Sequence, residues 1–271
     1  MTSIQSLVAS VVLLGLVGCN QPKATTPEPP TAKPAPKPTA SLTDDPAKLR
    51  DELAAKDDDT GVRPPRQAKL YGGKTTEKIC ALTFDDGPKP EWTEKLLAVL
   101  KEADVKATFF LVGKQVVQYP ELTKKIADAG HIVGNHTFTH PQGDKNMATM
   151  DEDEVAAEMK GTCRAVQDAT GVRPKYFRPA GGHVNSLVIN TSAANGMMSV
   201  FGGPNGDDTN PKKTAEMVEK EIMKVKPGGI VWLHTGSQQT LDCLPRFLAK
   251  LKADGWKIVT LDDLAKIARS D

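Results

Sequence analysis

The chain has almost no charge imbalance: its 271 residues carry 35 Lys and Arg against 34 Asp and Glu, a formal net charge of +1. Such a balance gives no special attraction to nucleic acid or to an anionic membrane surface, so charge names no partner. Cysteine is scarce. Apart from Cys19 there are Cys80, Cys163 and Cys243. Their spacings match no zinc–cysteine pattern, and three thiols leave at least one unpaired. Cys80 lies in an apolar run and is expected in the core, while a Cys163–Cys243 disulfide stays open. A permanent membrane span is not found in the apolar run from Leu7 to Gly18, which is too short for one. The rest, 39% hydrophobic and 25% charged, is the composition of an ordinary soluble protein of one large or two small domains.

That short apolar run has the character of an export signal. Leu16-Val17-Gly18-Cys19 resembles a bacterial lipobox, in which the signal is cut before the cysteine and the thiol is lipidated, although Met1 to Ser6 contains no Lys or Arg. The chain is expected to be exported and held to the membrane by a lipid anchor on Cys19, in the cell envelope at its periplasmic face. Residues 20–70 follow as a Pro-rich tether and polar spacer, with room for a short helix over Asp51–Asp59. Residues 71–271 form the expected catalytic domain.

From Leu70 onward, short apolar runs alternate with stretches of helical periodicity. Strands are predicted at Ile79–Phe84, Ala107–Val112, Ile132–Asn135, Tyr176–Arg178, Met198–Phe201, Ile230–Leu233 and Lys257–Thr260. Helices are predicted at Thr93–Ala103, Glu121–Ala129, Glu152–Ala169, Thr214–Lys224, Leu244–Ala253 and Leu261–Arg269, several ending at Gly130, Gly171 or Gly255. About seven such units in roughly 200 residues favour an α/β fold with a closed or nearly closed parallel barrel, whose chemistry belongs at the strand C-terminal ends.

Candidate chemical residues gather at those ends. Asp85 and Asp86 end the first predicted strand at a Gly87-Pro88 turn, His136 and His140 follow the third, Arg178 ends the fourth and His234 follows the sixth. Adjacent strand residues point to opposite faces, so one carboxylate of the pair can bind a cation while its neighbour stays free. Histidines four apart can turn both imidazoles to one side of a single helical turn, and a carboxylate such as Asp86 completes a three-ligand set for zinc or a similar divalent ion. His131 precedes a strand at the remote end, His183 is expected exposed in a loop, and Trp232 is assigned to the core.

Thr83-Phe84-Asp85-Asp86-Gly87-Pro88, the His136–His140 pair, Phe177-Arg178-Pro179-Ala180-Gly181-Gly182 and Val231-Trp232-Leu233-His234 resemble, in order and spacing, the motifs of the polysaccharide deacetylases, the NodB-homology carbohydrate esterase family 4. The resemblance covers about residues 75–268. It implies a distorted (β/α)7 barrel, similar to a TIM barrel, and metal-dependent hydrolysis of N-acetyl groups on an N-acetylated glycan polymer. By position it implies Asp86, His136 and His140 as metal ligands, Asp85 as general base, Arg178 as the residue that orients Asp85, and His234 as acid. Pro179 and Gly181 would meet substrate, the Gly181 N–H serving the oxyanion. The fourth motif departs from the family: in Pro204-Asn205-Gly206-Asp207-Asp208, counting back from Asn210-Pro211 assigns Asp207 as the partner of His234 and puts Asp208 where a tryptophan is expected.

The expected activity is deacetylation of N-acetylglucosamine in peptidoglycan, favoured by export and tethering, with zinc as first choice of cofactor and cobalt, nickel or manganese as alternatives. Chitin or chitooligosaccharide deacetylation, xylan deacetylation and hydrolysis of small cyclic amides use similar motifs. A non-catalytic carbohydrate-binding envelope lipoprotein is the reading from another class.

Overall fold

The computed structural model describes residues 45–268. The export signal, Cys19, the Pro-rich stretch and the end of the last predicted helix lie outside the described residues. Parallel strands β1 (Lys69–Leu70), β2 (Ile79–Gly87), β3 (Thr108–Leu111), β4 (Ile132–Asn135), β5 (Tyr176–Phe177), β6 (Met198–Val200), β7 (Gly229–His234) and β8 (Lys257–Val259) form one sheet. Its order is β1-β6-β5-β4-β3-β2-β7, with β8 pairing β2 beside this path. β2 meets β7 along one edge; on the other, its first residues meet β8 and its later ones β3. The chain after β6 reaches β7 through a bridge between Asn205 and Trp232, which closes the sheet near the site. All seven predicted strands are present, and β1 is an addition. Among the described residues no helix is long and apolar enough to cross a membrane.

Alternation along the strands sorts side chains into two rows. Cys80, Leu82, Phe84, Phe109, Leu111, Val231 and Leu233 belong to the core packed under the helices Trp92–Glu102 and Gln238–Ala253. Ile79, Ala81, Phe110, Tyr176, Met198, Val200 and Ile230 form a second cluster inside the barrel, joined by Leu261, Leu264 and Ala265 of the helix Leu261–Ile267. Continued upward, the inner row becomes polar: Thr83 and Asp85 on β2, Arg178 just after β5, Trp232 and His234 on β7. Trp232 is therefore half-buried in the inner row and is not part of the apolar core as expected.

The long helix Glu152–Thr170 begins with a reciprocal capping box of Asp151 and Glu154 and ends at Gly171, whose φ of 76° is the left-handed cap. Helices Gly113–Gln118 and Ser186–Ala194 were not predicted; both are short.

The stretch 45–70 is not a spacer. Asp45 caps a helix over Pro46–Ala54, accepting from the Ala47 and Lys48 amides, with Pro46 in the first turn. Arg50 pairs with Glu158, Asp57 with Arg173 and Asp59 with Lys160. A charged composition hid this docking because partners on the domain satisfy those charges. Cys80, Cys163 and Cys243 are free and buried, which settles the disulfide question. Burial pushes Cys80 and Cys243 up to about 12 and Cys163 to about 11.

Candidate active site and metal centre

Asp85 and Asp86 diverge because the β2–β3 register shifts between Phe84 and Gly87, and Asp86 takes a left-handed φ of 68°. A bulge at a strand end re-aims a side chain in this way. Asp85 stays in the inner row, 0% exposed. Its Oδ1 accepts from Arg178 Nη1 at 2.8 Å, whereas Oδ2 has no hydrogen-bond partner. Arg178 Nη1 also donates to Thr83 Oγ1 at 2.8 Å. The guanidinium lies between the rings of Phe110 and Trp232, 4.3 and 4.6 Å from their centroids. Burial pulls its pKa down, and the adjacent Asp85 carboxylate opposes that.

Asp86, His136 and His140 bring one ligand atom each to within 4.8 Å of one another. His136 Nδ1 is 2.7 Å from the Arg178 carbonyl oxygen, an acceptor, so Nδ1 carries the proton and Nε2 its lone pair. That Nε2 faces Asp86 Oδ1 at 3.4 Å and an Asp85 oxygen, Oδ2, at 3.7 Å. His140 Nε2 lies 3.1 Å from the same Asp86 oxygen. Burial raises the Asp86 pKa, but the two imidazoles outweigh it and hold the carboxyl well below its usual range. Two imidazoles and one carboxylate converging with a fixed tautomer fit a divalent cation of the zinc type.

The histidines are not on the expected helical turn. His136–His140 is a loop in which Thr137 and His140 have φ of 67° and 61°. It is pinned by Asn135 Oδ1 accepting the Thr137 amide and by Glu158 accepting the amides of Phe138 and Thr139.

At the end of β7, His234 Nδ1 is 2.7 Å from Asp208 Oδ1, and its backbone amide donates to Asp208 Oδ2 at 2.9 Å. Asp208, not Asp207, is therefore the histidine's partner. Asn205 Oδ1 accepts the Asp207 amide in a turn where Asp207 has φ 51°, which leaves Asp207 exposed and bonded to Asn210. The next residue, Asp208, turns inward, fully buried, and also accepts from Thr240 Oγ1. Burial lowers the His234 pKa, but Asp208, aided by Asp85 and Asp86, raises it more, so the imidazolium is favoured. Pro179 is buried, with φ −67° at the start of the Ala180–Gly182 turn. Gly181, φ 62°, is exposed, and its N–H donates to no group among the described residues. His183 is exposed as expected. His131 is buried, its Nδ1 accepting from the Ala107 amide.

The polysaccharide deacetylase model matches residues 72–200. A peptidoglycan-N-acetylglucosamine deacetylase of Bacillus cereus is 30% identical, covering 80% of this chain and 81% of that protein. The chain belongs to the polysaccharide deacetylase family.

Solved deacetylase structures agree on the barrel. The Bc1960 peptidoglycan N-acetylglucosamine deacetylase superposes with a TM-score of 0.69 at 32% identity, over 73% of this chain and 93% of that one. BA3943 of Bacillus anthracis, described as a family 4 pseudoenzyme, gives 0.68 at 30% identity, over 74% and 69%. The expected α/β barrel of the deacetylase type and the expected class, a polysaccharide N-deacetylase, both hold. Asp208 and His234 lie beyond the span matched by the deacetylase model, so the half of the site facing Asp85 is read from the geometry of β7. Thr83 and Trp232, which support Arg178, carried no assignment from the motifs. Their signal was parity, since each lies two residues from Asp85 or His234 on the same strand face.

Proposed function

We propose that this deacetylase hydrolyses the N-acetyl groups of N-acetylglucosamine residues in peptidoglycan. The observation that carries the proposal is Asp85 Oδ2, a buried, unpartnered carboxylate oxygen with the Asp86–His136–His140 cluster beside it and the His234–Asp208 pair at the end of the adjoining strand. Asp86, His136 and His140 would hold a divalent cation, zinc in first place with cobalt, nickel or manganese as alternatives, which would supply a Lewis acid for the acetamide carbonyl and a more acidic water. Asp85 Oδ2 takes the proton of the attacking water, while Arg178 occupies Oδ1 and fixes the carboxylate. The Gly181 N–H donates to the oxyanion that develops on the acetyl oxygen. His234, kept protonated by Asp208, gives its proton from Nε2 to the departing amine. Acetate and the free amino sugar result.

A pseudoenzyme with the same barrel shows that fold alone does not secure activity. Retention of base, acid and all three ligand positions supports catalysis, because a pure binder needs neither base nor acid. Peptidoglycan is preferred over chitin or xylan from the relatives and from the N-terminal sequence, which suits export and a lipid anchor on Cys19. The test is acetate release from peptidoglycan, chitooligosaccharides and acetylated xylan with added zinc, using Asp85→Asn as control. Release from peptidoglycan that disappears in the variant is expected. Equal release by both proteins, or none by either, overturns the enzymatic reading; a preference for chitooligosaccharide or xylan overturns the substrate. Mass spectrometry of the amino-terminal fragment from a membrane fraction tests the anchor, and an unmodified Cys19 overturns it.

A further inference from the structure

Between the two histidine ligands runs the segment Thr137-Phe138-Thr139, with left-handed backbone at Thr137 and again at His140. Non-glycine residues hold such a conformation only when their surroundings impose it. Glu158, on the helix Glu152–Thr170, imposes it here with both oxygens: Oε2 accepts the Phe138 and Thr139 amides at 2.7 and 2.8 Å, and Oε1 accepts Thr139 Oγ1 at 2.7 Å. Glu158 is 0% exposed, and a buried carboxylate is tolerated when a cation is paired with it. Among the described residues its salt-bridge partner is Arg50, whose Nη1 donates to Oε1 at 3.1 Å.

Arg50 lies on the helix Pro46–Ala54, ahead of the span matched by the deacetylase model. The helix approaches closely. A Cβ on Gly161 would come within 2.9 Å of the Arg50 carbonyl oxygen and 3.3 Å of the Phe138 ring, so Gly161 lets the helix and the ligand loop pack on the same turn. Arg50 also pairs with the exposed Asp51.

We propose that Arg50 is a positioning residue for the metal centre: by neutralising Glu158 it fixes the loop that carries His136 and His140, so that cation affinity depends on the docked helix 46–54. The proposal rests on the metal reading given above. It makes the N-terminal helix an accessory part of the site, coupled to the ligands through one carboxylate. Replacing a group that orients metal ligands typically weakens metal binding about tenfold to a hundredfold.

The test measures zinc affinity by chelator competition in the full chain, and the visible spectrum of the cobalt-loaded protein, with metal-free stability recorded separately. Arg50→Ala is expected to weaken zinc binding about tenfold to a hundredfold and alter the cobalt spectrum; Arg50→Lys is expected to recover most of the loss. Lys160→Ala, which breaks the neighbouring Lys160–Asp59 pair of 2.8 Å without touching the loop, is expected to stay near wild type. In a Glu158→Gln background Arg50→Ala is expected to add no further loss. No zinc binding by the wild type overturns the metal reading and this proposal together. Wild-type binding with an Arg50→Ala affinity unchanged, or matched by that of Lys160→Ala, overturns this proposal alone. Should Arg50→Ala fail to fold, Arg50→Gln, which keeps the stem and loses the charge, decides: weaker zinc binding than wild type at equal metal-free stability supports the proposal, and unchanged binding overturns it.

Discussion

Replacing Asp208 by asparagine is the most informative single change, because it removes a charge while keeping shape. Asp208 Oδ2 takes the His234 amide and Thr240 Oγ1, and Oδ1 takes His234 Nδ1. The asparagine oxygen stays where two donors point, which leaves its NH2 facing Nδ1. Two donors cannot face each other, so the imidazole gives up its Nδ1 proton and the imidazolium loses its partner. A hydrogen bond to a charged group is worth about 1.5–3 kcal/mol, which corresponds to about a tenfold to hundredfold loss of the protonated form. The sign follows from the direction of the shift. Asp208 raises the His234 pKa, so its loss lowers it, and the alkaline limb of kcat/KM moves to lower pH. Zinc affinity should be unchanged, since Asp208 makes no contact with the three ligands. The assay is acetate release from a chitooligosaccharide across pH, with the His234 ring titrated by NMR. An alkaline limb that stays in place, or an equal loss in Asp207→Asn, would refute the acid role and the pairing.

Arg178→Ala strands Asp85 as a buried, unpaired carboxylate and should cost about 3–5 kcal/mol in urea unfolding, whereas adding Asp85→Asn to it should restore part of that stability; a double variant no more stable than the single one would contradict the pairing. His131 is buried and its pKa is lowered to about 4 from an ordinary value of 6.5, chiefly by burial. Its folded pKa lies below the unfolded one, so stability is full above about pH 6.5 and falls by about 3 kcal/mol on acidification to about pH 4. The difference in unfolding free energy between wild type and His131→Asn should show that slope, and a pH-independent difference would count against it. Cys80, Cys163 and Cys243 should react with a thiol reagent only on unfolding, and reductant should leave the melting temperature unchanged; rapid reaction in the native state would place one of them at the surface.

Much of the barrel was legible because its strands are nearly continuous apolar runs and its helices end at glycines such as Gly171. The candidate triad was legible for a different reason: Asp86, His136 and His140 lie at the ends of predicted strands, and parallel strands bring those ends together although Asp86 and His136 are far apart in sequence. What escaped depends on distant partners. Lys69–Leu70 is too short to show a period and is a strand because β6 lies beside it. The helix 46–54 and the acidic residues after it read as solvated until Glu158 is placed against Arg50 and Arg173 against Asp57. Asp207 and Asp208 are equivalent in composition, and a turn set by Asn205 decides which enters the site. Trp232 read as core because it is large and apolar, yet its parity with His234 places it over Arg178.

The inner row of β2, Ile79-Ala81-Thr83-Asp85, rises from an apolar floor to a buried charge in three steps, with Cys80, Leu82 and Phe84 between them facing the helices. Two environments are thus interleaved along a single strand and distinguished only by odd and even number. Deleting one residue between Ala81 and Phe84 would exchange the rows, turning the charge toward the helices and hydrocarbon toward the Asp86–His136–His140 cluster. Substitutions in this strand can be graded in effect, but changes of length cannot, so the segment can vary in composition while its residue count from floor to bulge stays fixed.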